Sequence, residues 1–418
     1  MQDKQNGEPK PCESQKMPLK PGLYACCGHI YSPVVQRIKG LTATLFIAFS
    51  LLQVTAAAQN VRPETVTSGL QNPWAVAFLP EGKFLVTERP GRLRVVDSTG
   101  KLGKAIEGLP DVVAGGQGGL LDVLLDADFA NNRTLYFCFS EPANVGNGNS
   151  TALASATLNA DMTRLGNVKV IFSQKPKFAS SLHFGCRIVE SRAPGVNGKA
   201  DGKLFLMLGD RYSRAPDAQN LGNHHGKVVR INKDGSTPPD NPFVNRAGAL
   251  PEIWSYGHRN PQGATLAPDG TLWMNEHGPQ GGDEINLPKP GLNYGWPVIT
   301  YGENYGGGKI GEGITAQNGM EQPLYYWTPS IAPSGMAFLT SERYGKSWQG
   351  NLFVGSLKFA YLNRIELTAP YAGKVVRETK LISDLGERIR DVRQGPDGLL
   401  YVLTDSNNGK LIRLQPAP

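Results

Sequence analysis

Cysteine is scarce: five occur in 418 residues, and Cys12, Cys26 and Cys27 all precede residue 58. Beyond that point only Cys138 and Cys186 remain, which excludes a cysteine-rich zinc or iron–sulfur centre. Cys138, in "TLYFCFS", reads as a buried strand residue rather than half of a bridge, although an oxidising compartment would permit a Cys138–Cys186 pair. Charge of one sign is also modest. The formal net charge is +7; residues 1–58 hold six Lys+Arg against three Asp+Glu, which leaves about +4 on the remainder. With no basic stripe, neither nucleic acid nor an anionic membrane is an expected partner. Long apolar runs are lacking as well. The stretch 41–52 is shorter than the roughly 20 residues of a membrane span, so stable insertion is not expected. Preceded by Arg37 and Lys39 and followed by Ala56-Ala57-Ala58, it reads as a secretory leader cleaved near Ala58, with residues 1–36 as an extended start. A periplasmic or secreted protein is the expectation.

Fifty glycines and 31 prolines suit many turns joining short strands better than long helices. Six stretches share one grammar: "PEGKFLVTE" (80–88), "ANNRTLYFCF" (130–139), "ADGKLFLMLGD" (200–210), "PDGTLWMNE" (268–276), "WQGNLFVGS" (348–356) and "PDGLLYVLTD" (396–405). Each sets a Gly or Asn turn before a short apolar run, as a hairpin feeding a buried strand would. Copies 50 to 80 residues apart fall in the range of propeller blades with inserted loops. The expected fold is all-β, a six-bladed β-propeller over residues 59–418 as one domain, with "TVTSGLQNPWAVAFLP" and "GKLIRLQ" sharing a blade that closes the ring. A pair of β-sandwiches is the alternative that turn spacing alone leaves open.

A propeller gathers loops at the mouth of its channel, so polar residues flanking the repeats are the candidates. "AGGQGGLLDV" exposes Gln117 between glycine pairs, unless it is a plain turn. "SSLHFGCRI" holds His183 and Arg187; a neutral imidazole takes a proton near pH 7, and a nearby cation favours that neutral form. A packing histidine is the plainer reading, and His224, His225, His258 and His277 compete for the role. In "HRNPQG", Pro261 restricts Asn260 to extended backbone, so Arg259 and Asn260 point in set directions suited to a planar anion. In "NEHGPQGGDEIN", Gly278 and Pro279 can turn two carbonyls toward one Ca²⁺, while Asp283 and Glu284 offer a second cation site or simply a solvated acidic turn. Tyr325, Tyr326 and Trp327 present faces on which a sugar or flat cofactor can stack, with core packing as the alternative. Lys358 interrupts an apparent strand interior. Arg388 and Arg390, two apart, share one face of a strand and call for an anion between them unless both are solvated.

Taken together, "HRNPQG", "EHGPQGGDEINL", "NYGWP", "HGKVVRINKDGSTPPDNPF" and "IAPSG" resemble the soluble PQQ-dependent aldose and glucose dehydrogenases over nearly all of residues 60–416. The resemblance implies that His183 is the general base for an aldose's anomeric hydroxyl as hydride passes to the C5 carbonyl of PQQ, with Gln117 beside it. It implies that Arg259, Asn260, Lys358, Arg388 and Arg390 hold the quinone oxygens and carboxylates of PQQ. Gly278 and Pro279 would supply carbonyl ligands to Ca²⁺, and Glu284 and Tyr294 a second, structural Ca²⁺ site. Trp327, with Tyr325, would border the sugar pocket. An external quinone or cytochrome would take the electrons, and the protein would be a monomer or homodimer. One departure stands out: Leu182 precedes the histidine where the glucose-specific branch resembles an Asp pattern, so the aldose-type branch is the nearer match and another group must orient His183. A Ca²⁺-dependent lactonase and a non-catalytic binding propeller are the rival readings.

Overall fold

A computed structural model describes residues 61–192 and 201–417. The leader expected over residues 1–58, and most of the long turn in "ESRAPGVNGKADG", lie outside the described residues. The described chain forms six four-stranded antiparallel sheets. Their innermost strands are Pro73–Phe78, Leu120–Leu125, Gly185–Glu190, Pro261–Leu266, Pro333–Phe338 and Ile389–Gln394. Each packs against the next and the last against the first, which makes a ring. Numbered in that order, they define blades one to six of the expected propeller.

The six repeats map onto one structural position. Each ends in the second strand of its blade: Phe84–Glu88, Thr134–Pro142, Leu204–Leu208, Leu272–Glu276, Leu352–Ser356 and Leu400–Thr404. The turn entering that strand needs one residue in the left-handed region. Gly82, Gly202, Gly270, Gly350 and Gly398 supply it with φ between 61° and 87°, and in blade two Arg133 does so at φ 52°. Glycine is favoured there because it has no Cβ to clash; Arg133 is secured instead by donating to the carbonyls of Leu158 and Asn159.

Closure is non-covalent. Strand Val61–Leu70 from one end of the propeller pairs antiparallel with Gly409–Pro416 from the other, Thr65 opposite Ile412, to complete blade six. The seams between blades are apolar: Leu120, Phe137 and Phe139 share one buried cluster with Leu204 and Leu206 of the next blade. Across one seam runs a disulfide. Cys138 of blade two is bonded to Cys186 of blade three, both fully buried, which corrects the expectation of an unbridged Cys138. Their separation of 48 positions conceals a juxtaposition that only blade packing creates.

One irregularity recurs at every blade. The pairing of innermost with second strand slips near the start of the innermost strand, between Pro73 and Ala75, Leu120 and Val123, Gly185 and Ile188, Pro261 and Gly263, Pro333 and Met336, and Ile389 and Asp391. A bulge re-aims the extra residue and tightens the local twist. All six therefore lie at the same rim of the ring.

Candidate active site

At that rim is a cavity of about 370 Å³ to which all six blades contribute. Blade one contributes Trp74 and Arg89, blade two Gln117 and Leu121, and blade three Phe184 and Gly185. Gln262 and His277 come from blade four, Ala332 and Leu357 from blade five, and Arg388, Arg390 and Asp405 from blade six. Trp74, Leu121, Gln262 and Arg390 are bulge residues. Successive strands are antiparallel, so the start of the first and the end of the second meet at one edge of each blade.

His183 stands beside this cavity on a tightly held loop. Its backbone N–H donates to Gln117 Oε1 at 2.8 Å, and Gln117 N–H donates to the Ser181 carbonyl at 2.8 Å. Its ring Nδ1 lies 2.6 Å from Asp210 Oδ1. Asp210 also accepts from the Tyr212 N–H at 2.7 Å and from Trp296 Nε1 at 2.7 Å, so its carboxylate is fixed at both oxygens. With Nδ1–H donating to Asp210, Nε2 carries the free lone pair. Burial pushes the imidazole below the ordinary histidine value; Asp210 opposes this, and Arg259 and Arg211 reinforce it. The ring is thus neutral at pH 7 and able to accept a proton.

Asp210 supplies the orientation that Leu182 does not. It closes the repeat "ADGKLFLMLGD", and the corresponding ends in other blades are also polar at this rim: Glu88, Glu276 and Asp405. That recurrence was the available signal. Arg187, read as the cation beside His183, lies elsewhere: its Nη1 is 3.0 Å from Asp122 and 3.1 Å from Asp391, in a buried network completed by Arg393. His224 and His225 are held against Glu252 and Asp217 instead. His258 sits on Glu276 at 3.0 Å. His277 lines the cavity, but burial pushes it down to about 3 and its Nε2 is 2.7 Å from the Pro333 carbonyl.

Arg259 and Asn260 follow the glycine turn after strand Ile253–Tyr256. The Arg259 N–H donates to Glu276 at 2.6 Å, its Nη1 donates to the Gly278 carbonyl at 2.7 Å, and its guanidinium lies 5.2 Å from the Trp296 ring. Asn260 Oδ1 accepts from the Gly185 N–H at 3.3 Å and from Gln262 at 3.1 Å. Three buried donors here have no partner among the described residues: Arg259 Nε, Asn260 Nδ2 and Arg390 Nε. Unpaired buried donors are costly, and an oxygen-rich anion such as PQQ fits them.

Arg388 and Arg390 do share an anion, but it belongs to the protein. Asp405 lies 3.3 Å from Arg388 and 2.7 Å from Arg390. Burial would lift the Asp405 carboxyl, yet Arg390, Arg89 and Arg388 outweigh it and hold it at about 2. The simple two-residue alternation expected for this pair does not apply, because Arg388 precedes strand Ile389–Gln394 and Arg390 sits in its bulge.

Three further expectations are relocated. Lys358 is exposed in the turn after strand Leu352–Ser356, not inside a strand, with its ammonium 5.2 Å from the Phe359 ring. Tyr325 and Trp327 line a separate cavity of about 1100 Å³, and both donate to Glu378, Trp327 at 2.9 Å. The segment Ile331–Ala332 runs between the two cavities, Ile331 facing the larger and Ala332 the smaller. Tyr294 stacks on His258 at 4.8 Å between ring centroids, and its hydroxyl is engaged by Leu287 and Lys289.

Carboxylates do not converge into a metal cluster among the described residues. What the Gly278 region offers is carbonyl oxygen. Gly281 and Gly282 bring their carbonyls to 2.3 and 2.2 Å of where a Cβ on residue 278 would stand, so only glycine fits. Of the two carbonyls expected to bind Ca²⁺, that of Gly278 accepts from Arg259 Nη1 at 2.7 Å and keeps its second lone pair, and neutral oxygens of this kind suit a hard cation that takes its remaining ligands from a cofactor and water. Glu284 pairs in register with Glu276, and Asn286 bridges the two carboxylates at 3.0 Å each. Burial and the neighbouring Glu276 push Glu284 up to about 8.

Residues 70–413 match the glucose/sorbosone dehydrogenase family. The aldose sugar dehydrogenase YliI of Escherichia coli is 44% identical over 366 residues, covering 86% of this chain and 94% of that protein. Quinoprotein glucose dehydrogenase B of Acinetobacter calcoaceticus is 30% identical over 420 residues, covering 84% and 87% respectively. The PQQ-bound aldose sugar dehydrogenase of Streptomyces coelicolor superposes with a TM-score of 0.68 at 26% identity, covering 86% of this chain and 99% of that one. The chain belongs to the glucose/sorbosone dehydrogenase family.

Proposed function

We propose that this protein is a PQQ-dependent aldose sugar dehydrogenase that oxidises the anomeric carbon of an aldose to the lactone. The observation that carries the reading is the neutral His183 held by Asp210 beside a cavity rich in arginine and buried unpaired donors. PQQ, when bound, supplies an electrophilic quinone carbonyl that accepts a hydride. His183 takes the hydroxyl proton at Nε2, and Gln117 holds the loop that presents it. Arg259, Asn260 and Arg390 direct their unpaired donors at the cofactor's oxygens. Arg388 adds positive charge at the rim, and Lys358, on its exposed turn, would supply a further cation to the same anion. The carbonyls of Gly278 and Pro279 would hold Ca²⁺, which would act as a Lewis acid here, with Arg259 Nη1 sharing the Gly278 oxygen. Glu284 and Tyr294 would supply a second, structural Ca²⁺ site, with Glu276 beside Glu284 in register. Trp327 and Tyr325 border the path of the sugar. The electrons pass to an external quinone or cytochrome, in the periplasm to which the leader directs the chain.

Dye reduction by the purified protein, loaded with PQQ and Ca²⁺ and offered a panel of aldoses, tests the reading. Aldose-dependent reduction that a chelator abolishes and His183→Ala lowers by roughly 10²–10⁴-fold supports it. A folded, loaded protein that reduces dye with no aldose overturns it in favour of a binding propeller.

A further inference from the structure

His183 belongs to a loop that the backbone alone would not hold in place. Its own φ is 50°, and the facing residues Arg211 and Tyr212 have φ 62° and 66°. Non-glycine residues persist in this region only where their surroundings over-determine them. The Asp210 hydrogen bond orients the ring, but it does not anchor the segment 180–184 that carries it.

Arg211 is the side chain that does. It is fully buried, and burial lowers its guanidinium to about 10, which leaves it charged at neutral pH. Its Nη1 donates to the Leu182 carbonyl at 2.9 Å and its Nη2 to the Ser180 carbonyl at 2.6 Å. Nη2 also donates to Asn149 Oδ1 on the neighbouring blade, and the guanidinium carbon lies 3.7 Å from the centroid of Phe184. The Arg211 backbone N–H donates to the His183 carbonyl at 3.4 Å. Residues 180, 182, 183 and 184 are thus all gripped by one residue, while Gln117 takes the Ser181 carbonyl and the His183 N–H on the other side.

We propose that Arg211 is the positioning residue of the base loop, setting where His183 Nε2 stands relative to the reacting hydroxyl without itself touching substrate. The planar fork matters as much as the charge. A lysine ammonium lacks the planar fork that reaches the two carbonyls from separate nitrogens, and it cannot lie flat on Phe184. Displacing a catalytic group by about 1 Å costs on the order of 10²-fold in rate. The proposal rests on His183 being the base of the proposed reaction.

The test compares wild type with Arg211→Lys and Arg211→Ala. In the holoenzyme, Arg211→Lys should lower kcat roughly 30- to 100-fold while KM and PQQ affinity stay within about threefold. Millimolar guanidinium should restore part of the kcat of Arg211→Ala, which a fold merely weakened would not show. An independent reading comes from the apo protein with ¹⁵N-labelled histidine. There NMR should show a single Nδ1-protonated His183 tautomer in wild type and a mixed or exchange-broadened ring in Arg211→Lys. Wild-type kcat together with an unchanged His183 spectrum in Arg211→Lys overturns the proposal, as does loss of thermal stability and PQQ binding without guanidinium rescue. If the wild-type holoenzyme oxidises no aldose, the sugar-oxidation reading fails, and the apo spectra still decide whether Arg211 sets the ring.

Discussion

Replacing Asp210 by asparagine preserves the side chain's size but exchanges one carboxylate oxygen for an NH₂ group. Three donors converge on that carboxylate: His183 Nδ1–H and the Tyr212 N–H on Oδ1, and Trp296 Nε1–H on Oδ2. The amide can satisfy only one side. If its oxygen stays at Oδ1, the NH₂ faces the Trp296 N–H and a buried donor pair is left unmet. If it flips, the NH₂ faces His183 Nδ1, which must then accept, and the ring proton moves to Nε2 where the base is needed. The second orientation keeps the Trp296 bond but removes the reactive lone pair. In an unrelated serine protease the equivalent change in the catalytic triad drops kcat by about 10⁴, and general-base catalysis is worth roughly 10²–10⁴-fold. We therefore expect Asp210→Asn to lose about 3–5 kcal/mol of transition-state stabilisation, read as kcat for dye reduction at saturating aldose. PQQ affinity should change little, because the variant retains its shape, while the buried donor left unmet should cost about 1–3 kcal/mol of stability. A kcat within threefold of wild type, with PQQ fully loaded, would refute the assignment of Asp210 as the group that sets the tautomer.

Other expectations follow from the same geometry. Because burial lowers His183, an NMR titration of the apo protein should place its midpoint below the ordinary value of about 6.5. The base is then neutral throughout the neutral range and becomes charged only on the acid side; a midpoint above 6.5 contradicts the burial argument. Gly335→Ala would set its Cβ 2.3 Å from Asp391 Oδ1 and 2.6 Å from the Val392 N, across the seam between blades five and six. Overpacking of this kind costs about 1–3 kcal/mol, and a urea midpoint equal to wild type would disprove it. Replacing both Cys138 and Cys186 by alanine releases a loop of 48 residues. Loop-closure entropy puts the loss at about 4 kcal/mol at most, measured by chemical denaturation under non-reducing conditions. An unchanged midpoint would refute the loop-entropy argument.

Much of the fold was legible because it is written locally. The six repeats mark one turn and one strand per blade, and the turn residue is glycine wherever the backbone needs a left-handed φ without other support. Blade two breaks the rule with Arg133, which two carbonyls hold in place, yet its apolar run still identified the strand. The closing blade takes one strand from the start of the propeller and three from its end, and the two stretches that the sequence assigns to one blade supply its closing pair.

The site was legible by residue type and much less by position. Gln117, Arg388 and Arg390 do line the rim cavity, and His183, Arg259 and Asn260 adjoin it. Lys358 reads as a strand residue because the four-residue turn 357–360 joins two apolar strands with no Gly or Pro to mark it. Tyr325 and Trp327 turn toward Glu378, 53 and 51 residues away in sequence, which no local pattern announces. Arg187 and Arg211 illustrate the limit most clearly. Both are arginines near His183, Arg187 in sequence and Arg211 in the turn after the adjoining strand, but one serves the central ion network and the other the base loop.

Turn chemistry, strand period and the repeat depend on neighbours along the chain, so the amino-acid order was sufficient to specify a six-fold β architecture and its polar rim. Convergence depends on ring closure. The Val76 N–H donates to Asp391 across 315 residues, His183 meets Gln117 across 66 and Trp296 meets Asp210 across 86. These contacts exist because the innermost strands crowd one axis and every blade bulges at the same end. Which polar residues face the cavity, and which are neutralised by a partner, was therefore decided only when the ring closed.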